Sequence, residues 1–196
     1  MNARPPAVFH LIGNPGVGKY TVGLELARLT GARLVDNHSI NNVIFNVINP
    51  DGVTPLPDGI WSRVGQVRAA VLDTIVHLSP PHLSFVFTNY LRGEDASEDA
   101  IVEEFVAIAQ IRKSTYVPVL LSCKTAELVA RIVSEDRRAR MKLIDPIQGA
   151  HMNDDIPRFE TDHPNALRLD VTNMPPHATA EAIISWRQRL VDGGES

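Results

Sequence analysis

The stretch that most constrains this chain is "AVFHLIGNPGVGKYT", Ala7 to Thr21, where an apolar run, three glycines, a lysine and an amphipathic segment follow one another directly. Gly13, Gly16 and Gly18 let the backbone curl until successive amides converge, and a helix starting at the loop's end adds its positive pole. Such a loop suits phosphate oxygens, with Lys19 placed to reach the outermost of them. A turn that only ended a strand would need neither the lysine nor the helix. Tyr20 is the one departure from GxxxxGK[ST], standing where a magnesium-binding hydroxyl belongs.

The rest of the chain repeats the same unit. Val22, Leu26 and Leu29 keep helical spacing until Gly31 stops them, and "ARLVD" then reads as a second strand. "SINNVIFNVI" predicts a helix, "NPDGVTPLPDG" a loop, and Ile60 to Leu78 a longer helix with apolar residues at a helical period. "LSFVFTNY" (Leu83 to Tyr90) and "TYVPVLLSC" (Thr115 to Cys123) are apolar runs of the kind buried on both faces, with the helical "DAIVEEFVAIAQIRK" between them. Pro118 argues against the second strand, since proline is unwelcome inside a sheet. Helix "AELVARIV", the charged "SEDRRARMK", an irregular region to Pro164, strand "ALRLDV" and helix "ATAEAIISWRQRL" complete the chain. Five alternations of strand and helix predict an α/β fold, an open parallel sheet covered on both faces, in one domain of 196 residues.

Composition narrows the function classes. With 44% hydrophobic and 21% charged residues and a net charge of -4, the chain offers no overall attraction to nucleic acid or an anionic membrane. No segment approaches the ~18 apolar residues that span a bilayer, so the expected location is the cytoplasm. The lone Cys123 excludes an internal disulfide and a cysteine-based zinc site, and is expected to be buried. The seven histidines form no HExxH pattern, which argues against a zinc enzyme.

"GNPGVGKYT" resembles the GxPGxGKxT loop of adenylate kinase and related nucleoside monophosphate kinases, in which a threonine follows a variable residue after the lysine. The order of elements is similar to shikimate kinase and gluconate kinase, and "DNH" after the second strand resembles shikimate-kinase-like P-loop proteins that carry the same triplet. The resemblance implies a three-layer α/β/α P-loop fold with a five-stranded parallel sheet, an acceptor-side helical region at about 39–79 and a short helical lid at about 134–164. It also implies ATP and Mg2+ as cofactors, with residues 13 to 21 (Gly13, Asn14, Pro15, Gly16, Val17, Gly18, Lys19, Tyr20, Thr21) around the phosphates and Thr21 supplying the hydroxyl. "DVTNMPPHAT" would be the adenine-side loop. The sequence departs from the pattern at the third strand, which ends in "TNY" without a Walker B aspartate, and at "DNH", where shikimate kinase has DxD.

In a doubly wound sheet ligands sit at the carboxyl ends of the strands, which brings Asp36 near the loop. Asp36 is a candidate to hold magnesium through water or to accept a proton from an attacking hydroxyl; otherwise Asp36 or Ser39 caps the next helix. His38, Asn42, Arg68, Asn89 and Arg92 are acceptor-side candidates. Arg68 would clamp an acidic group bidentately, or else snorkel from a helix edge. In the lid, Arg137 and Arg140 are three apart and would face the transferred phosphoryl group together, unless the run is a solvated helical face and Glu127 with Arg131 an ordinary i,i+4 pair. The reading is an ATP-dependent kinase acting on a small polar acceptor, with a nucleotide-binding module that signals to a protein partner as the alternative.

Overall fold

A computed structural model describes residues 5–50, 55–93 and 97–193; residues 51–54 of the predicted Pro/Gly loop lie outside it. The described elements are β1 (Ala7–Ile12), α1 (Lys19–Thr30), β2 (Arg33–Asp36), α2 (Asn37–Ile48), α3 (Ile60–His77), β3 (Phe85–Asn89) and α4 (Ser97–Ile111). They continue with β4 (Thr115–Ser122), α5 (Thr125–Ile132), α6 (Glu135–Ala139), α7 (Pro146–Asp154), β5 (Leu167–Asp170) and α8 (Pro176–Asp192). All strand pairs are parallel, in the order β2-β3-β1-β4-β5. β1 is therefore central, and the glycine loop leaves the middle of the sheet's carboxyl edge.

Alternation along β1 divides the core. Phe9 and Leu11 join Leu26 of α1, Leu128 of α5 and Ile183 of α8 on one face. Val8 and Ile12 join Leu72 and Ile75 of α3 and Phe105 of α4 on the other. A strand buried on both faces has no polar side to display, which is why its sequence is a continuous apolar run. Each fully buried leucine or isoleucine contributes about 2 kcal/mol against the cost of ordering the chain. The expected three-layer architecture is the observed one. Among the described residues no helix is long and apolar enough to cross a membrane.

Pro118 sits within β4, opposite His10, against the expectation that proline would exclude a central strand. β5 pairs with β4 only from Val119 onward. The Tyr116 carbonyl accepts instead from the Asn165 side chain at 2.8 Å, and Pro118, two residues on, faces the same side. The missing N–H thus points where no ladder exists.

Two other expectations change. α2 begins at Asn37, so Ser39 lies inside it and its hydroxyl donates to the Asp36 carbonyl at 2.6 Å rather than capping the helix. The region to Pro164 is not irregular throughout, since it holds α7, and the charged run before it holds the short α6. The signal for α7 was present: Asp145 accepts from the amides of Ile147 and Gln148 as N-cap, and Pro146 occupies the first turn. Cys123 is buried just beyond β4.

Candidate functional site

The glycine loop is shaped by close approach. Gly16 and Gly18 have φ of 93° and 109°, and a Cβ on Gly16 would lie 3.0 Å from the Leu128 side chain. Gly18 is the N-cap of α1 and no side chain caps that helix, so its first amides are left for a ligand. The loop is braced from two directions. Asn14 donates to the Asn153 side chain at 2.9 Å and to the Met152 carbonyl at 3.2 Å, tying the loop to α7. Arg131 donates to the carbonyls of Val17 at 3.0 Å, Val171 at 3.1 Å and Thr172 at 3.3 Å, while Glu127 holds its Nε at 2.9 Å.

Lys19 turns back into the loop, where its ammonium donates to the carbonyls of Gly13 and Asn14. Burial, reinforced by the nearby Arg137 guanidinium, lowers its pKa to about 7. Two carbonyls are poor compensation for a half-buried cation, and a polyphosphate would supply what is missing. Asp36 ends β2 with its side chain buried; Oδ1 accepts from the Thr88 hydroxyl at 2.7 Å and Oδ2 lies 3.1 Å from Lys142 Nζ. Burial opposes the carboxylate's charge, but the Lys142 ammonium and the Thr88 hydroxyl together hold its pKa below the usual value. Its side chain makes no cap contact with α2, so Asp36 faces the site and not the helix.

These groups surround a cavity of about 550 Å³ between the glycine loop and the lid. Arg137 and Arg140 both line it, on α6 and at its C-cap. The Arg137 guanidinium donates to the Leu143 carbonyl at 2.8 and 3.0 Å, and burial lowers its pKa. Arg140 pairs with Asp136 at 3.0 Å. Arg138, in the same charged run, is exposed and outside the lining.

Tyr20 has a definite place in this arrangement. The Arg140 guanidinium carbon lies 4.1 Å from its ring centroid and Lys142 Nζ 4.4 Å. The residue that interrupts the expected loop pattern thus serves as an aromatic platform for two lid cations. Thr21 is exposed at the cavity wall, available to a ligand.

On the wall formed by the ends of β2 and β3, His38, Thr88 and Tyr90 line the cavity. Burial lowers the His38 pKa to about 4, with Lys142 adding to the effect, so the ring is neutral near pH 7. Its Nδ1 and the Tyr90 hydroxyl are buried without hydrogen-bond partners. Thr88 and Tyr90 escaped the sequence reading, which took Asn89 from the same triplet. Strand alternation would have found them: residues 88 and 90 share a face and 89 takes the other.

The remaining acceptor candidates are not brought to this cavity. Asn89 Oδ1 can only accept, so His10 Nε2 donates to it at 3.0 Å and His10 Nδ1 accepts from the Tyr116 hydroxyl at 3.0 Å. Burial keeps His10 neutral, with a pKa of about 3, so this triad belongs to the core. Arg68 is neither a clamp in the cavity nor a solvated snorkel; it pairs with Glu104 of α4 and lies 5.5 Å over the Phe105 ring. Asn42 donates to the Arg140 carbonyl at 3.1 Å, joining α2 to the lid. Arg92 bridges to Arg158 and pairs with Glu98 at 3.8 Å.

Among the described residues no cluster of three or more His, Cys, Asp or Glu could hold a metal by itself. A magnesium ion carried by a nucleotide demands less, one or two protein oxygens beside phosphate and water. Thr21 offers a free hydroxyl at the cavity wall, and Asp36 lies there with its two oxygens engaged by Thr88 and Lys142, which leaves it within reach of such an ion through water.

Comparison with solved structures places this architecture. A candidate kinase from Chloroflexus aurantiacus superposes with a TM-score of 0.67 at 21% identity, covering 98% of this chain and 100% of the other. A gluconokinase from Sinorhizobium meliloti gives 0.59 at 14% identity, covering 97% of each chain. This chain shares their fold, a parallel five-stranded sheet with helices on both faces. Shikimate kinase from Aquifex aeolicus shares it at a TM-score of 0.50 and 14% identity, over 94% of this chain and 98% of the other. At such identities the likeness is one of fold. No protein-family model and no curated protein matches the chain by sequence.

Proposed function

We propose that the protein is an ATP-dependent kinase that transfers the γ-phosphoryl group to a hydroxyl of a small polar acceptor. The observation that carries this reading is the Lys19 ammonium, half-buried against two loop carbonyls in the wall of a cavity whose lid supplies Arg137 and Arg140. Loop amides and the uncapped start of α1 would hold the phosphates, with Lys19 reaching the outer ones. Arg137 and Arg140 would neutralise charge on the migrating group, and the closed lid would exclude water. Asp36 would orient the acceptor hydroxyl. Magnesium would be held by Thr21 and, through water, by Asp36, and would supply neutralisation of phosphate charge.

One observation favours the alternative of a nucleotide-binding module that signals to a protein partner: β3 ends in Thr88 and Asn89 with no carboxylate, and Asp36 is already engaged by Lys142. The two readings separate in one assay. ADP formation from MgATP is measured with the full-length protein across a panel of small hydroxylated compounds. Stimulation by a compound that itself gains a phosphoryl group supports the kinase; turnover indifferent to every compound but raised by a protein supports the module.

A further inference from the structure

The cavity has two chemically different walls. The lid and the glycine loop carry its cations, whereas the ends of β2 and β3 offer only Asp36, Asn37, His38, Thr88 and Tyr90. None of these residues is cationic, and the cation nearest to them, Lys142, is taken up by Asp36 at 3.1 Å. The arginines that would give this wall a cation of its own are elsewhere: Arg68 is paired with Glu104 and Arg92 lies outside the lining. What the wall does present is unmet hydrogen-bonding capacity, at His38 Nδ1 and the Tyr90 hydroxyl, both buried and without partners. Buried polar atoms left unpaired are costly in an empty protein and become selective for a ligand that pairs them. A carboxylate or phosphate brought here would meet Asp36 and a Lys142 ammonium already paired with it at 3.1 Å, while hydroxyl groups would satisfy both neutral partners.

Resting on the kinase reading above, we infer that the phosphoryl acceptor is a neutral polyhydroxylated molecule of the polyol, sugar or nucleoside type, and not a hydroxy acid or a phosphate ester. In the transfer, the bond between the γ-phosphorus and the β,γ-bridging oxygen of ATP breaks and a phosphorus–oxygen bond forms to an acceptor hydroxyl. ADP leaves, and the hydroxyl proton passes to Asp36 and then to water. His38 and Tyr90 hold neighbouring hydroxyls, which fixes the one that attacks.

The test uses the full-length protein with MgATP and three acceptor sets: neutral polyols, sugars and nucleosides; hydroxy acids; and sugar or nucleoside monophosphates. Each product is read by mass, and ATP affinity is measured in parallel by calorimetry. The expected result is phosphorylation confined to the neutral set, with Tyr90→Phe raising KM for that acceptor about tenfold while ATP affinity stays within twofold. A higher kcat/KM for an acidic or phosphorylated acceptor overturns the inference. So does ATP binding with no neutral compound gaining mass, which leaves the nucleotide site standing. Absence of ATP binding overturns the inference and the kinase reading together.

Discussion

Lys142 Nζ lies 3.1 Å from Asp36 Oδ2, with the two side chains 7% and 9% exposed. A pair this buried is more dangerous to break than to replace, because removing one member strands the other charge. Lys142→Met should destabilise the protein by about 3 kcal/mol, and adding Asp36→Asn should restore much of the loss, both read from urea unfolding. The pair also sets a pH dependence. Asp36 has a depressed pKa, so its contribution is complete above the ordinary value of 3.8 and is lost as pH falls through the depressed one. Lys142→Met should flatten that acid-side slope.

Tyr20 gives the lid an aromatic floor, with Arg140 and Lys142 4.1 and 4.4 Å from its ring centroid. Tyr20→Phe keeps the ring and should leave lid order unchanged. Tyr20→Ser restores the hydroxyl of the common loop pattern but removes the platform, a loss of about 1–2 kcal/mol for contacts of this kind. Amide hydrogen exchange across residues 135–143 should then accelerate roughly fivefold to thirtyfold. Equal exchange in the two variants would show that the ring supports nothing.

Arg131 joins the glycine loop to the segment after β5 through three carbonyls. A lysine cannot reproduce that fork. Arg131→Lys should therefore lower stability by about 1–3 kcal/mol and weaken ATP binding as well, measured by thermal unfolding and calorimetry. A lysine variant indistinguishable from wild type would remove the bracing role.

The architecture was legible because parallel strands buried on both faces announce themselves as apolar runs, and the glycine loop fixed which edge of the sheet would carry the ligand. Asp36 could be placed at the cavity wall through that topology, and Arg137 and Arg140 through the lid position that the kinase resemblance implied. Arg68 was not: its position among apolar residues is the same whether it meets a substrate or Glu104, and α4 supplied the partner from a distant part of the chain. Tyr20 was equally opaque, because a cation–π platform depends on where the lid folds back. Pro118 misled for a local reason, since proline is harmful only where the missing donor faces a partner strand. Asn153 gave no sequence signal, yet it holds Asn14 from α7.

Lys19 should take up a proton when ATP binds. With a pKa of about 7 it is mostly neutral at pH 8, and adjacent phosphates would raise that pKa again. Calorimetry at pH 8 in buffers of different ionisation enthalpy should show roughly one proton absorbed per ATP. Release of protons, or no exchange, would contradict a lowered Lys19 pKa.

The most direct test of the central claim is calorimetric titration of MgATP into wild-type protein and Lys19→Ala, with circular dichroism confirming that both are folded. The account predicts saturable one-to-one binding by the wild type and at least a hundredfold weaker binding by the variant, about 2.7 kcal/mol or more. Equal affinities, or a folded wild-type protein that does not bind MgATP, would contradict it.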